Sequence, residues 1–246
     1  MTSSKGRQQL PPLKVLCLHG YRQTSVAFKS KSGGFRKLLK NKLDFVFIDG
    51  PHLVPTGPQN PDGTDDSRSW WFSDVDPDYF SSAQESDICK GFDQSVDLIR
   101  HTFETQGPFD GILGFSQGSA LVALICCLKQ LKEFNYDLKF VVLVAGFQSL
   151  SASHLKLFDR LDSQLIDIPS LHIIGESDQV IAKEKSVKLS NIFKNPYIVY
   201  HSGGHLVPSN SSNRQKDDQT IDYIICEYND CNIFLNLKSR VICVVM

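Results

Sequence analysis

Apolar runs of strand length recur along the chain, and segments with helical spacing separate them. The six runs are Leu13–Leu18, Asp44–Ile48, Gly111–Phe115, Phe140–Ala145, Leu171–Ile174 and Tyr197–Tyr200. They are continuous rather than alternating, which is typical of parallel strands buried on both faces. The helical patterns are Phe35–Leu43, a segment with Phe92, Val96, Ile99 and Phe103 that Gly107-Pro108 ends, an apolar segment after Gly118, Ala182–Phe193 and Ile221–Tyr228. The pattern predicts an α/β fold, a three-layer sandwich with a mostly parallel central sheet.

One long stretch, from His52 to about Lys90, has neither pattern and is rich in Pro, Gly, Asp and Ser. Irregular segments of this length inside a domain are usually functional loops or lids. The stretch contains Trp70, Trp71 and Phe72. We interpret these aromatic residues as candidates for the wall of an apolar substrate pocket, and a lid that only packs on the core is the alternative.

Three regions follow from this pattern. Residues 1–12 are polar and predict a disordered leader, residues 13–228 form one domain, and residues 229–246 form a divergent tail. We find no repeat and no linker between domains. A chain of 246 residues with 41% hydrophobic content is sufficient for one sizeable core.

Charge and composition exclude several classes of function. The formal net charge is −1 and the basic residues are scattered, which argues against a nucleic-acid partner. The first twelve residues lack the apolar core of a secretory signal, and no stretch approaches the length of a transmembrane segment. The seven cysteines show no disulfide spacing and no C-x-x-C pair, and no H-E-x-x-H is present. The sequence therefore predicts a cytoplasmic protein without a metal or another cofactor.

The strongest chemical signal is Gly114-Phe115-Ser116-Gln117-Gly118, which lies between a strand and a helical segment. A G-x-S-x-G pattern in this position is typical of a nucleophile elbow, a strained turn that exposes the serine Oγ. We expect a Cβ at Gly114 or Gly118 to clash with the neighbouring strand or helix. Ser116 is therefore the candidate nucleophile.

The candidate partners of Ser116 come after later strands, where the carboxyl ends of a parallel sheet meet. Asp178 follows Leu171–Ile174, and His205 follows Tyr197–Tyr200. The order Ser, Asp, His along the chain is the order that this elbow requires. Glu176 is the alternative acid and His201 the alternative base. We interpret four other histidines as surface or core residues, namely His52, His101, His154 and His172.

An oxyanion hole needs two backbone N–H donors. We expect one donor to be the backbone N–H of Gln117, the residue after the candidate nucleophile. We expect the other to be the backbone N–H of Tyr21, because His19-Gly20-Tyr21 forms the turn after the first strand. The alternative is that His19-Gly20 only ends that strand.

Four motifs occur in order along the chain, at Leu18–Gln23, Arg68–Trp71, Gly114–Ala120 and Gly203–Pro208. Together they resemble the FSH serine hydrolases, over about Leu13–Tyr228. The resemblance implies an α/β-hydrolase fold and a metal-independent carboxylesterase acting on hydrophobic acyl esters. It also implies a triad of Ser116, Asp178 and His205, in agreement with the residues themselves. An acyl thioesterase is the near alternative, and a non-catalytic ligand-binding protein of the same fold is the remote one.

The last four residues, Cys243-Val244-Val245-Met246, fit a prenylation signal. One prenyl chain gives marginal membrane binding, so Cys243 predicts at most weak membrane association. The alternative is an apolar end that packs on the domain. Cys231 is a further candidate for lipidation.

Overall fold

The computed structural model describes residues 11–55, 66–75 and 78–208. The strands are β1 (Leu13–Leu18), β2 (Leu43–Ile48), β3 (His52–Leu53), β4 (Arg68–Ser69), β5 (Asp74–Val75), β6 (Asp78–Tyr79), β7 (Gly111–Phe115), β8 (Phe140–Val144), β9 (Ser170–Gly175) and β10 (Tyr197–His201). The helices are α1 (Ser25–Lys31), α2 (Gly33–Leu39), α3 (Phe92–Gln106), α4 (Gln117–Gln130), α5 (Ala152–Asp159) and α6 (Lys183–Ser190).

Six of these strands form one parallel sheet in the order β10-β9-β8-β7-β1-β2. The chain runs outward from β1 to β2, then returns to the other side of β1 and continues through β7, β8, β9 and β10. The direction of winding therefore changes between β1 and β7. In open α/β sheets, ligands bind outside the carboxyl ends of the strands at such a switch point.

Side chains of alternate strand residues enter two separate cores, one on each face of the sheet. Leu16 and Leu18 of β1 contribute to the core that contains residues of α3, α4 and α5. Val15 and Cys17 contribute to the core that contains residues of α1 and α2. This arrangement confirms the predicted three-layer sandwich with a parallel central sheet.

The helix predicted over Phe35–Leu43 is wrong at its end. Helix α2 covers Gly33–Leu39, and Leu43 begins β2, where it pairs with Leu13 of β1. A turn closes the helix, since the Lys42 N–H donates to the Leu39 carbonyl oxygen. Helix α6 is also shorter than the predicted Ala182–Phe193, and α1 and α5 were not among the predicted helices.

The described parts of the stretch from His52 to Lys90 contain only two-residue strands, in two small antiparallel pairs, β3 with β4 and β5 with β6. The leader's residues 1–10 lie outside the described residues, as do the predicted helix Ile221–Tyr228, Cys231, Cys243 and the rest of the predicted tail. Within the described ranges, no helix is long and apolar enough to cross a membrane.

Candidate active site

Ser116 lies on the turn between β7 and α4, at φ 53° and ψ −116°. A positive φ is strained for a residue with a Cβ, and such strain is common at functional sites. Two hydrogen bonds hold this backbone. The Ser116 N–H donates to the Val144 carbonyl oxygen at 2.9 Å, and the Ala120 N–H donates to the Ser116 carbonyl oxygen at 3.1 Å.

The two glycines of the elbow lie where a side chain would collide with backbone. A Cβ on Gly114 would lie 2.5 Å from the Gly118 backbone in α4. A Cβ on Gly118 would lie 2.3 Å from the Leu18 carbonyl oxygen at the end of β1. The predicted steric reason for both glycines is therefore confirmed.

Asp178 and His205 come together with Ser116 at the carboxyl edge of the sheet. His205 Nε2 lies 3.0 Å from Ser116 Oγ, and His205 Nδ1 lies 2.8 Å from Asp178 Oδ2. A neutral imidazole that donates Nδ1–H to the carboxylate leaves Nε2 to accept the serine hydroxyl. The three side chains therefore form a continuous hydrogen-bonded chain across residues that are far apart in sequence.

The other carboxylate oxygen fixes the orientation of Asp178. Asp178 Oδ1 accepts the N–H groups of Val180 and Ile181, each at 2.8 Å, and the side chain is 1% exposed. This leaves Oδ2 for His205. Glu176, the alternative acid, is exposed.

His205 is placed by a loop that packs closely on β9. A Cβ on Gly175, the last residue of β9, would lie 2.6 Å from the Gly204 carbonyl oxygen in the loop, so this close packing requires glycine at position 175. The His205 ring lies 4.8 Å from the Phe115 ring, centroid to centroid. His201, the alternative base, is buried, with its ring against Gly203.

The turn after β1 lies beside Ser116, as an oxyanion turn would. A Cβ on Gly20 would lie 3.3 Å from Ser116 Cβ. Tyr21 follows directly, and Gln117 is the first residue of α4. The first N–H groups of a helix have no intrahelical acceptor, so the Gln117 N–H is available to a ligand at this end.

The His19 ring supports this turn from inside the protein. Gly50 N–H donates to His19 Nε2 at 2.8 Å, so Nδ1 carries the proton and donates to the Gly20 carbonyl oxygen at 2.7 Å. Burial lowers the pKa of His19, which keeps the ring neutral.

Trp70, Trp71 and Phe72 are 0%, 0% and 2% exposed. This burial agrees with the alternative interpretation, a segment that packs on the core. Their contribution to a substrate pocket stays a prediction.

The four histidines that we interpreted as surface or core residues are not the histidine that bonds to Ser116, which is His205. His154 and His172 are buried, and burial lowers the pKa of each to about 3. His52 Nε2 donates a hydrogen bond to the Gly91 carbonyl oxygen at 2.8 Å, and His101 is exposed on α3. Across the described ranges, no group of three His, Cys, Asp or Glu side chains is arranged to hold a metal ion.

A family model described as serine hydrolase (FSH1) matches residues 9–217. The chain belongs to the FSH1 serine hydrolase family. The resemblance seen in the four sequence motifs is thus confirmed, and membership makes this protein a hydrolase.

Three relatives illustrate how far the similarity extends. The chain is 45% identical over 214 residues to Esterase OVCA2 of Xenopus tropicalis, covering 85% of this chain and 91% of that protein. It is 40% identical over 209 residues to Esterase C25G4.2 of Caenorhabditis elegans, covering 84% and 91%. It is 37% identical over 215 residues to Esterase OVCA2 of Homo sapiens, covering 83% and 93%.

Solved structures confirm the α/β-hydrolase fold of this FSH1 family member. Zea mays acyl-protein thioesterase 2 superimposes with a TM-score of 0.57 at 18% identity, covering 90% of this chain and 95% of that structure. Esterase PE8 superimposes with a TM-score of 0.54 at 17% identity, covering 87% and 94%.

Proposed function

We propose that this chain is a serine carboxylesterase that hydrolyses hydrophobic acyl esters through an acyl-enzyme intermediate. The observation that carries the proposal is the hydrogen-bonded chain from Ser116 through His205 to Asp178, with distances of 3.0 and 2.8 Å. The names of the relatives, which are esterases, support the same class of reaction.

The first half of the reaction forms the acyl-enzyme. Ser116 Oγ attacks the ester carbonyl carbon while His205 Nε2 takes the hydroxyl proton. Asp178 holds the ring in the correct tautomer and stabilises the imidazolium. The carbonyl oxygen becomes an oxyanion that accepts the N–H groups of Tyr21 and Gln117. The C–O bond to the alcohol then breaks, and the alcohol leaves with the proton from His205.

The second half releases the acid. His205 takes a proton from water as the water oxygen attacks the acyl carbon. The Ser116 ester bond breaks, Ser116 Oγ regains the proton from His205, and the carboxylic acid departs. Neither half requires a metal or a redox cofactor.

Covalent labelling tests the nucleophile. A fluorophosphonate probe should label the wild-type protein once, and Ser116→Ala should remove both labelling and ester hydrolysis. The rate of ester hydrolysis should fall by several orders of magnitude, because Ser116 Oγ is the nucleophile that attacks the ester carbonyl carbon. Mass spectrometry of the labelled peptide identifies the site.

Ser119→Ala is the matched control, since Ser119 is a buried serine three positions after Ser116, in the first turn of α4. Its Oγ lies 2.7 Å from the Gly114 carbonyl oxygen and 2.8 Å from the Val144 carbonyl oxygen, so its one O–H is directed to the backbone and not to His205. Labelling of Ser116 should persist in this variant. Labelling that survives Ser116→Ala would refute the assignment, and a wild-type protein that is not labelled would favour a non-catalytic ligand-binding protein.

The acyl thioesterase remains the second candidate, because the fold is shared with a plant acyl-protein thioesterase. The same residues would act on a thioester, with a thiol as the leaving group. Matched oxygen and sulfur esters of one acyl chain separate the two functions. A higher kcat/KM for the thioester would overturn the carboxylesterase proposal without affecting Ser116.

A further inference from the structure

One segment of the long irregular stretch, Ser69–Trp71, is hydrogen-bonded to both sides of the candidate oxyanion hole. We call these three residues the anchor segment. It is buried throughout, and it lies between the turn after β1 and the start of α4. The contacts on each side are made by different atoms, so each can be removed separately.

The first side is the Gln117 side chain. Gln117 Oε1 accepts the Trp70 N–H at 3.0 Å and lies 3.2 Å from Ser69 Oγ. Gln117 Nε2 donates to the Trp71 carbonyl oxygen at 2.8 Å. The residue that supplies the candidate oxyanion N–H is thus held by two hydrogen bonds of its own side chain, one to Trp70 and one to Trp71. The amide is 0% exposed, so water cannot replace these bonds.

The second side is the turn that carries Tyr21. Trp70 Nε1 donates to the His19 carbonyl oxygen at 2.7 Å, and the indole lies 4.9 Å from the His19 imidazole, centroid to centroid. The same imidazole donates to the Gly20 carbonyl oxygen. Trp70 therefore holds the backbone directly before Tyr21 in two ways. Its indole N–H donates to the His19 carbonyl oxygen, and its indole packs against the His19 ring that supports the turn.

The anchor segment is itself held from outside the site. Ser95 Oγ on α3 donates to the Trp70 carbonyl oxygen, and Ser69 Oγ also lies 2.6 Å from the Trp71 carbonyl oxygen. A Cβ on Gly50 would lie 2.6 Å from the Ser69 carbonyl oxygen, so the segment also packs against the turn after β2. The segment is therefore a rigid connection between β1, α3 and α4.

We infer that Trp70 and Gln117 are positioning residues that hold the N–H groups of Tyr21 and Gln117 at the spacing required by the oxyanion. This inference rests on the proposed function. Oxyanion stabilisation depends on donors that are fixed before the reaction begins, and small displacements are costly. The anchor segment supplies this fixation through the Trp70 indole N–H and through its backbone hydrogen bonds to the Gln117 side-chain amide.

Trp70→Phe tests the first contact, because it keeps a ring against His19 and removes the indole N–H. We expect kcat for a good ester substrate to fall about three- to ten-fold, since a buried carbonyl oxygen loses its donor. KM should change less than two-fold by the same argument, because the ground-state ester makes weaker hydrogen bonds than the oxyanion.

Trp71→Phe is the matched comparison. Trp71 is equally buried, and its Nε1 has no hydrogen-bond partner among the described residues. The two variants remove the same atoms from adjacent indoles, but only Trp70→Phe breaks a bond to the turn. We expect a larger fall in kcat for Trp70→Phe than for Trp71→Phe.

Gln117→Ala tests the second contact, because it keeps the backbone N–H and removes the side-chain amide. We expect kcat to fall about 10- to 100-fold, less than or similar to the loss of a whole oxyanion donor. The double variant with Trp70→Phe should lose less than the product of the two single effects, since both contacts fix the same segment.

A transition-state analogue separates positioning from general stability. The affinity of a trifluoromethyl ketone should fall by the same factor as kcat/KM in each variant, while the melting temperature is recorded in parallel. Unchanged analogue affinity, or equal effects of Trp70→Phe and Trp71→Phe, would overturn the inference. Ser116 labelling in the wild type reports the proposed function independently, so the two failures are distinguishable.

Discussion

At the scale of single residues, buried histidines show how surroundings fix a protonation state. His172 lies in β9 at 1% exposure, with Nε2 3.2 Å from Ser170 Oγ and its ring packed edge-on to Phe193. Burial lowers the pKa of His172 from 6.5 to about 3. Protonation therefore favours the unfolded state, where the imidazole has its ordinary pKa.

The consequence is a loss of stability in acid. The free energy of unfolding should be unaffected by His172 above pH 6.5 and should fall as pH drops from 6.5 towards 3. Between about pH 7.5 and about pH 5, one such histidine lowers the free energy of unfolding by about 2 kcal/mol. Urea unfolding at these two pH values should show this difference reduced in His172→Gln. The same substitution at exposed His101 should leave the difference as in the wild type, and equal pH dependence in both variants would contradict this explanation.

The three residues of the candidate triad could be found from sequence because each follows an apolar strand. Ser116 has a local motif, and the strands before Asp178 and His205 place both at one edge of a parallel sheet. The role of His19 could not be found in this way. Its ring bonds to Gly50, which is 31 positions away, and no local pattern encodes that contact. The partners of the Gln117 amide are 46 to 48 positions away and were missed for the same reason.

At the scale of elements, the elbow between β7 and α4 is a tightly packed junction. Gly114 faces the helix backbone and Gly118 faces the end of β1, so three elements meet without intervening side chains. This close approach is what allows Ser116 to keep its positive φ. The junction therefore requires residues without a Cβ at positions 114 and 118.

Gly118→Ala should destabilise the protein by about 1–3 kcal/mol or more, because the new Cβ meets immovable backbone. The rate of fluorophosphonate labelling should fall as Ser116 is displaced. Gly33→Ala in α2 is the matched control, since a Cβ there meets nothing within 4 Å. Urea unfolding and labelling rates measure both effects. A Gly118→Ala protein with wild-type stability and labelling would show that the junction can relax.

The apolar pattern predicted the strands that are buried on both faces and missed the helices that bury few side chains. The bounds of β1 and β7 agree with the apolar runs because both strands are covered on two faces. Helix α1 buries only Phe28, and α5 buries only His154 and Leu157, so neither carries a clear apolar stripe. The helix over Phe35–Leu43 was extended too far because Leu43 is apolar but faces a strand partner, Leu13.

At the scale of the whole molecule, the topology brings distant parts of the chain to one edge. The turn after β1 and the elbow after β7 meet at the switch point of the sheet, and the loops after β9 and β10 supply Asp178 and His205. Asp178 and His205 are 27 positions apart, and His205 and Ser116 are 89 positions apart. The candidate site therefore forms only when most of the sheet is in register.

Within the described part of the chain, β10 is an edge strand that pairs with β9 alone, and it carries the loop of His205. Strands at an edge open locally at a lower free energy than strands at the centre of a sheet. In rising urea, labelling of Ser116 should therefore be lost before the fluorescence of Trp70 and Trp71, which report the core beside β1 and α4. Coincident curves would mean that β10 opens only with the whole domain. If the curves separate, the enzyme is switched off by the fraying of one strand while the rest of the protein is still folded.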